Sequence, residues 1–276
     1  MSTAIAAFAG WNDAGSAATD ALAFLVDHLD GEMIDSISPE DYCDFQVNRP
    51  QCRLDSSGKR KLIWPSTDFW AAESSDGEPL MLIRGVEPSF HWNAFTEEVM
   101  AQLSDWGIGR LLVVGALLAD IPHSRSIPVQ LTSDSATLRR RFGAEKPTYE
   151  GPTGIISVLE QVAANAYDID SMALWVPVPH YVANPPSPKA ELALVSKLIE
   201  ILPLKGLATT ELADEARAWT EGVDSLAGTD PEIAGYIASL EAANDALDSP
   251  ASSGEALAKE FERYLRRRGP DGNRTG

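Results

Sequence analysis

Cations are scarce in this chain of 276 residues: 22 Lys and Arg stand against 41 Asp and Glu, for a net charge of -19. A surface of that sign repels nucleic acid and anionic bilayers over most of its area, so neither is an expected partner. The one basic cluster, Arg266 to Arg268, reads as a solvated helix end favouring cations at its negative pole. Cysteine is scarcer still. Cys43 and Cys52 lack CxxC spacing and a nearby His, which leaves no zinc site and no catalytic dyad; reduced thiols and no metal are expected. Long apolar runs are missing too, and none approaches the roughly 20 residues that span a bilayer. Asn12, Asp13 and Asp20 interrupt the opening early, so no leader is read there and the expected compartment is the cytoplasm.

What is present is an ordinary globular balance, 44% hydrophobic and 23% charged. The length suits one α/β core with an appendage. Thr3 to Ala9 reads as a strand, followed by a tight loop at Gly10 to Gly15 and a helix carrying Ala18, Leu22, Leu25 and Leu29. Met33 to Ile37, Lys61 to Trp64 and Leu80 to Ile83 read as further strands, the last two joined by a loop. Trp92, Phe95, Val99, Leu103 and Trp106 share a helical face, stopped by Gly107 before the strand Leu111 to Val114, which Gly115 to Ala119 extends or ends. Ile127 to Thr132 reads as a strand, Ile155 to Ala166 as a helix, and Ala173 to Pro177 as a strand. Strands alternating with amphipathic helices call for a largely parallel sheet covered on both faces.

Beyond Pro185-Pro186 the pattern turns helical. A helix from about Lys189 to Leu202 precedes one carrying Leu212, Ala216, Trp219, Val223 and Leu226; Asp230-Pro231 caps the next, and Ser252 to Glu255 fits a capping box. The expected organisation is an α/β core over 1–205, a helical extension over 206–268 and a disordered tail over 269–276.

Polar loops follow several predicted strands, and ligands of open α/β sheets gather at carboxyl strand ends. Trp11, Asn12 and Asp13 lie in the first such loop. Its backbone N–H groups could bind an anion, or Asp13 could simply cap the helix; the glycine spacing is neither GxGxxG nor a P-loop. Tyr149, Glu150, Gly151 and Thr153 form a similar glycine-bearing entrance, which offers a stacking face and a carboxylate, or else a turn with a Thr cap. Asp120, His123, Ser124 and Arg125 are residue types of nucleophilic catalysis, but no GxSxG elbow surrounds Ser124, and an anion-binding Arg125 is the better reading. Arg84, Glu87 and His180 lie at other strand ends. Several of these could share one edge of the sheet and line a pocket.

Four segments together carry a resemblance: Phe8 to Gly15 (FAGWNDAG), Asp44 to Pro50 (DFQVNRP), Gly115 to Arg125 (GALLADIPHSR) and Tyr149 to Gly154 (YEGPTG). In that order, over about residues 1–205, they resemble the bacterial branch of the proteasome assembly chaperone 2 family. The resemblance implies a fold like that of purine nucleoside phosphorylases: a three-layer α/β/α sandwich around a mixed sheet, with the helical extension appended. It implies a homo-oligomer, such as a trimer, and protein partners that include proteasome subunits. Eukaryotic relatives dock through a C-terminal hydrophobic-Tyr-any-residue tail, whereas this sequence ends Asn273-Arg274-Thr275-Gly276. Some bacterial members carry an ATP-grasp ligase label, but the lysine-bearing glycine loop and magnesium carboxylates of such an enzyme are not evident here. The leading expectation is therefore a non-catalytic, cofactor-free chaperone or adaptor. The rival is an enzyme or sensor for a small anionic or nucleoside-like ligand at the strand-end pocket. A third is an oligomer whose helical tail seals subunits together.

Overall fold

The opening apolar run becomes β1 (Thr3–Ala9), nearly all of it buried, as a strand covered on both faces requires. A short 3-10 turn leads into α1 (Ala17–His28), followed by β2 (Glu32–Ile37). An excursion holds β3 (Gln51–Leu54) and β4 (Arg60–Ile63), after which β5 (Thr67–Glu73) and β6 (Pro79–Val86) return to the body. Next come α2 (Trp92–Asp105), β7 (Arg110–Ala119), β8 (Gln130–Thr132), α3 (Ala136–Phe142), α4 (Ile155–Ala166) and β9 (Asp170–Pro179). Three helices close the order: α5 (Pro188–Ile201), α6 (Thr210–Ala227) and α7 (Pro231–Leu247). This computed structural model describes residues 1–247. The expected capping box at Ser252, the cluster Arg266 to Arg268 and the ends of the extension and tail lie outside the described residues.

Seven strands form one mixed sheet in the order β2-β5-β6-β1-β7-β9-β8. The central four, β6, β1, β7 and β9, run parallel, and β2, β5 and β8 pair antiparallel at the margins. One face carries Ile5, Ala7, Leu82, Leu112 and Val114 against α1 and α5, with Leu212 of α6 joining the same cluster. The other carries Ala6, Phe8, Ile83 and Val113 against Phe95, Val99 and Leu103 of α2 and Ile156 and Leu159 of α4. The architecture is thus a three-layer α/β/α sandwich, with α6 packed on the outside of α5 and α7 following it. Asp230 caps α7 as expected: its Oδ1 accepts from Glu232 N at 2.9 Å, and Pro231 takes the first-turn position where its missing N–H costs nothing.

Several local expectations need correction. The stretch read as a loop before Leu80 contains a full strand, β5, which carries Phe69 into the core. The strand expected at Lys61 to Trp64 pairs only with β3 in a two-stranded ribbon outside the main sheet. The strand expected over Ile127 to Thr132 shortens to Gln130–Thr132, and α3 follows it unforeseen. Among the described residues no helix is long and apolar enough to cross a membrane.

Candidate functional site

Because β6, β1, β7 and β9 are parallel and adjacent, the residues after Val86, Ala9, Ala119 and Pro179 emerge along one edge. They form two groups rather than one pocket.

The first group joins β6, β1 and the start of α4. Glu87 Oε1 accepts from Ile155 N at 2.9 Å, and Oε2 lies 3.4 Å from Trp11 N. α4 begins at Gly154 with no side-chain cap of its own, so the capping oxygen comes from Glu87, 68 residues upstream, and not from Thr153. Asn12 folds into the same knot. Its carbonyl accepts from Ala116 N at 2.7 Å, and its Oδ1 is buried against Gly154 without a hydrogen-bond partner. Trp11 stays half exposed, at 53%. Tyr149, Glu150, Gly151 and Thr153 form an exposed flank beside this knot, where the Tyr149 hydroxyl donates to Pro152 O at 2.9 Å.

Asp13 turns away into the body. It is buried, and its carboxylate accepts from Ala18 N at 2.8 Å, Thr19 N at 3.2 Å and the Thr19 hydroxyl, which caps α1. Burial raises its pKa, and the bonds from Thr19 and Ala18 oppose that rise. Arg84 is also separate. Side chains alternate along a strand, and Arg84 shares the α1 face with Leu82, where its charge acts on Asp20.

The second group lies after β7 and β9, beneath α6 and α7. The His123 ring is buried at 1% exposure; its Nδ1 lies 2.8 Å from the Tyr181 hydroxyl and its Nε2 3.0 Å from Asp224 Oδ1 of α6. Tyr181 also accepts the His123 backbone N–H at 2.7 Å, so its proton is directed to Nδ1 and the ring proton to Asp224. Burial pushes the Tyr181 phenol up to about 12. Lys189, its own pKa lowered by burial, donates to the His123 carbonyl at 2.5 Å. Arg125 forms a two-point bond with Asp245 of α7, Nε to Oδ1 at 2.7 Å and Nη2 to Oδ2 at 2.9 Å, while Ser124 donates to Glu241. Its guanidinium is held in the charged form chiefly by Asp245. His180 Nδ1 approaches Asp120 Oδ1 at 3.1 Å, but its angle does not make a hydrogen bond. The ring packs edge-on to Tyr181 and Tyr236.

A Tyr-His-Asp chain can in principle relay a proton. Here the ring is enclosed by Tyr181 and Trp219, and two concavities of the described residues lie away from it. One, near Tyr42 and Cys43, holds only about 10 Å³; the other, about 160 Å³, lies at Asp134, Glu160 and Asp168, against the roughly 300–1,000 Å³ of small-molecule pockets. Among the described residues no three His, Cys, Asp or Glu side chains converge on a metal position. Asp224, Tyr236, Glu241 and Asp245 had no local signal in the sequence, since each lies about 50 residues or more from its strand-end partner and belongs to a helix that looks merely amphipathic.

The PAC2 family model matches residues 7–227, most of the chain. A solved PAC2 family protein from Streptomyces avermitilis is 42% identical, with 86% of this chain covering 100% of that one at a TM-score of 0.77. A proteasome-assembly chaperone homologue from Mycobacterium tuberculosis is 37% identical over the same shares, 86% and 100%, at a TM-score of 0.75. A second M. tuberculosis protein, of unknown function, is 26% identical over 96% of this chain and 89% of its own, at 0.82. No curated protein sequence matches the chain. The matched residues take in the sheet from the end of β1 onward, both helical layers and α6, and on that evidence the chain belongs to the PAC2 family.

Proposed function

We propose that this chain is a non-catalytic chaperone or adaptor of the cytoplasm that binds protein partners, proteasome subunits among them. The observation that carries the reading is the 37% identity to a proteasome-assembly chaperone homologue, which this chain matches along that protein's whole length. The strand-end chemistry supports it. Glu87 and Asp13 cap helices, His123 is enclosed, and Arg125 grips α7. Groups that would hold an anion or move a proton for a substrate thus hold the fold together instead.

The test is co-elution of the full chain with free proteasome α subunits, and separately with the assembled core particle, of the same organism. Binding to the free subunits or to assembly intermediates is expected. Elution apart from subunits and core particle alike, at micromolar concentrations, overturns the proposal. A thermal-shift series with nucleotides, nucleosides, phosphate and carboxylate metabolites should be flat; a shift abolished by Glu150→Ala or Arg84→Ala would instead point to a ligand site.

A further inference from the structure

The β3–β4 ribbon stands apart from the sandwich. Its strands pair only with each other, and every residue from Gln51 to Ile63 is exposed. A lone two-stranded hairpin is marginally stable in water, and its outer edges leave backbone N–H and C=O groups unpaired. Its register makes the problem sharper. Arg53 lies directly opposite Lys61, a like-charge pair that destabilises a ribbon, while Cys52 and Leu54 line the other face with Leu62 and Arg60. Leu54 is 71% exposed and Leu62 56%.

Charge distribution points to what covers it. Residues 49–64 hold five cations, Arg49, Arg53, Lys59, Arg60 and Lys61, against the single carboxylate of Asp55, which accepts from Ser57 and Lys59 within the hairpin turn. None of the five forms an ion pair in the described chain. Residues 248–276 carry six cations and five carboxylates, so the chain's own C-terminal segment offers no complement. The rest of the chain has 11 cations against 35 carboxylates. Its β2 strand is an edge of the main sheet with an unpaired outer side, and it exposes Glu32, Asp35 and Met33. Glu32 and Asp35 form no ion pair either.

We propose that the β3–β4 hairpin is a docking arm for a second copy of this chain, its Arg53, Arg60 and Lys61 set against the acidic β2 edge of that copy. Each chain carries both surfaces, so a symmetric assembly covers both at once. The carboxylates relieve the Arg53–Lys61 opposition, and Leu54 and Leu62 leave water beside Met33.

Light scattering after size exclusion, on the full chain, tests it. At low salt the wild type should weigh a multiple of 29.7 kDa and shift toward the single-chain mass as salt rises, because screening shortens from about 10 Å at 0.1 M to about 3 Å at 1 M. Arg53→Glu, Arg60→Glu and Lys61→Glu together should give the single-chain mass and still unfold in one cooperative transition, since the ribbon lies outside the core. Glu32→Lys with Asp35→Lys should do the same, and mixing the two variants should restore association. A wild type at 29.7 kDa overturns the proposal, as does a hairpin variant that keeps the wild-type mass. So does a hairpin variant whose only defect is lost capture of proteasome subunits, which would assign the arm to that partner.

Discussion

Gly154 shows how closely the first two strand-end loops meet. A Cβ built on it would lie 1.7 Å from Asn12 Oδ1 and 2.7 Å from Glu87 Oε1, closer than any real contact; Glu87 is held by Ile155 N, and the Asn12 backbone by Ala116 N. Gly154→Ala should therefore displace the Glu87 cap and cost roughly 2–4 kcal/mol, the combined scale of overpacking and a lost cap, read as a lower urea midpoint. A wild-type midpoint would mean that the β1 loop yields freely. Glu160 offers a test by pH. Burial, and then the neighbouring Asp134, push its carboxyl up to about 7, well above the usual glutamate range. A carboxyl raised on folding contributes stability that is full below about pH 4.5 and is lost as pH climbs through 7. Glu160 should account for a loss on the order of 2–3 kcal/mol between pH 4.5 and 8, and Glu160→Gln should remove that share while the raised Glu191 carboxyl keeps its own. Parallel pH profiles for the two proteins would sink the assignment.

At the scale of elements, α7 is held to the strand ends by side chains more than by a deep apolar seam. Only Ile237 and Leu240 of its described side chains are buried, while Arg125 reaches Asp245 and Glu241 from below. Arg125→Ala should speed amide exchange across α7 and leave the central strands as protected as before; uniform protection in both would show that the clamp is incidental. The elements themselves were largely legible. β1, α1, α2, β7, α4, β9, α5 and α6 each carry an apolar run or a helical stripe long enough to fix their type. β5 was not, because Asp68 and Glu73 break its pattern at a strand buried only at Thr67 and Phe69, and Pro65 and Gly77 around it suggest turns. α3 is seven residues with three arginines, too short and too charged to show a stripe. The site was legible only in part. Parallel strands did bring Glu87, Trp11, Asn12, His123 and His180 to one edge, but strand alternation sends Arg84 to another face. The partners that enclose His123 come from helices no motif ties to it.

Taken whole, the molecule poses the question of whether the α/β sandwich stands without the helices laid over it. Leu212, Ala216, Val223 and Ala227 of α6 are buried, and Asp224 from the same helix supplies the acceptor for His123 Nε2. Removing α6 and α7 would return the burial of Leu212 and Val223, roughly 3–6 kcal/mol by side-chain transfer, and would open the His123 ring to water in place of Asp224 and Trp219. Two truncations separate this from any role of the residues beyond. A chain ending at Leu247 keeps every contact described and should melt with the full-length protein. One ending at Lys205 should melt lower, by on the order of 10 °C, or self-associate through the uncovered face of α5. If instead 1–205 melts with the longer chains and stays dispersed, the sandwich is self-sufficient and α6–α7 is an appendage, free to engage other surfaces. A loss confined to 1–205 would make the two helices a fourth layer of the folded unit, which leaves the β3–β4 ribbon as the projecting element available for assembly.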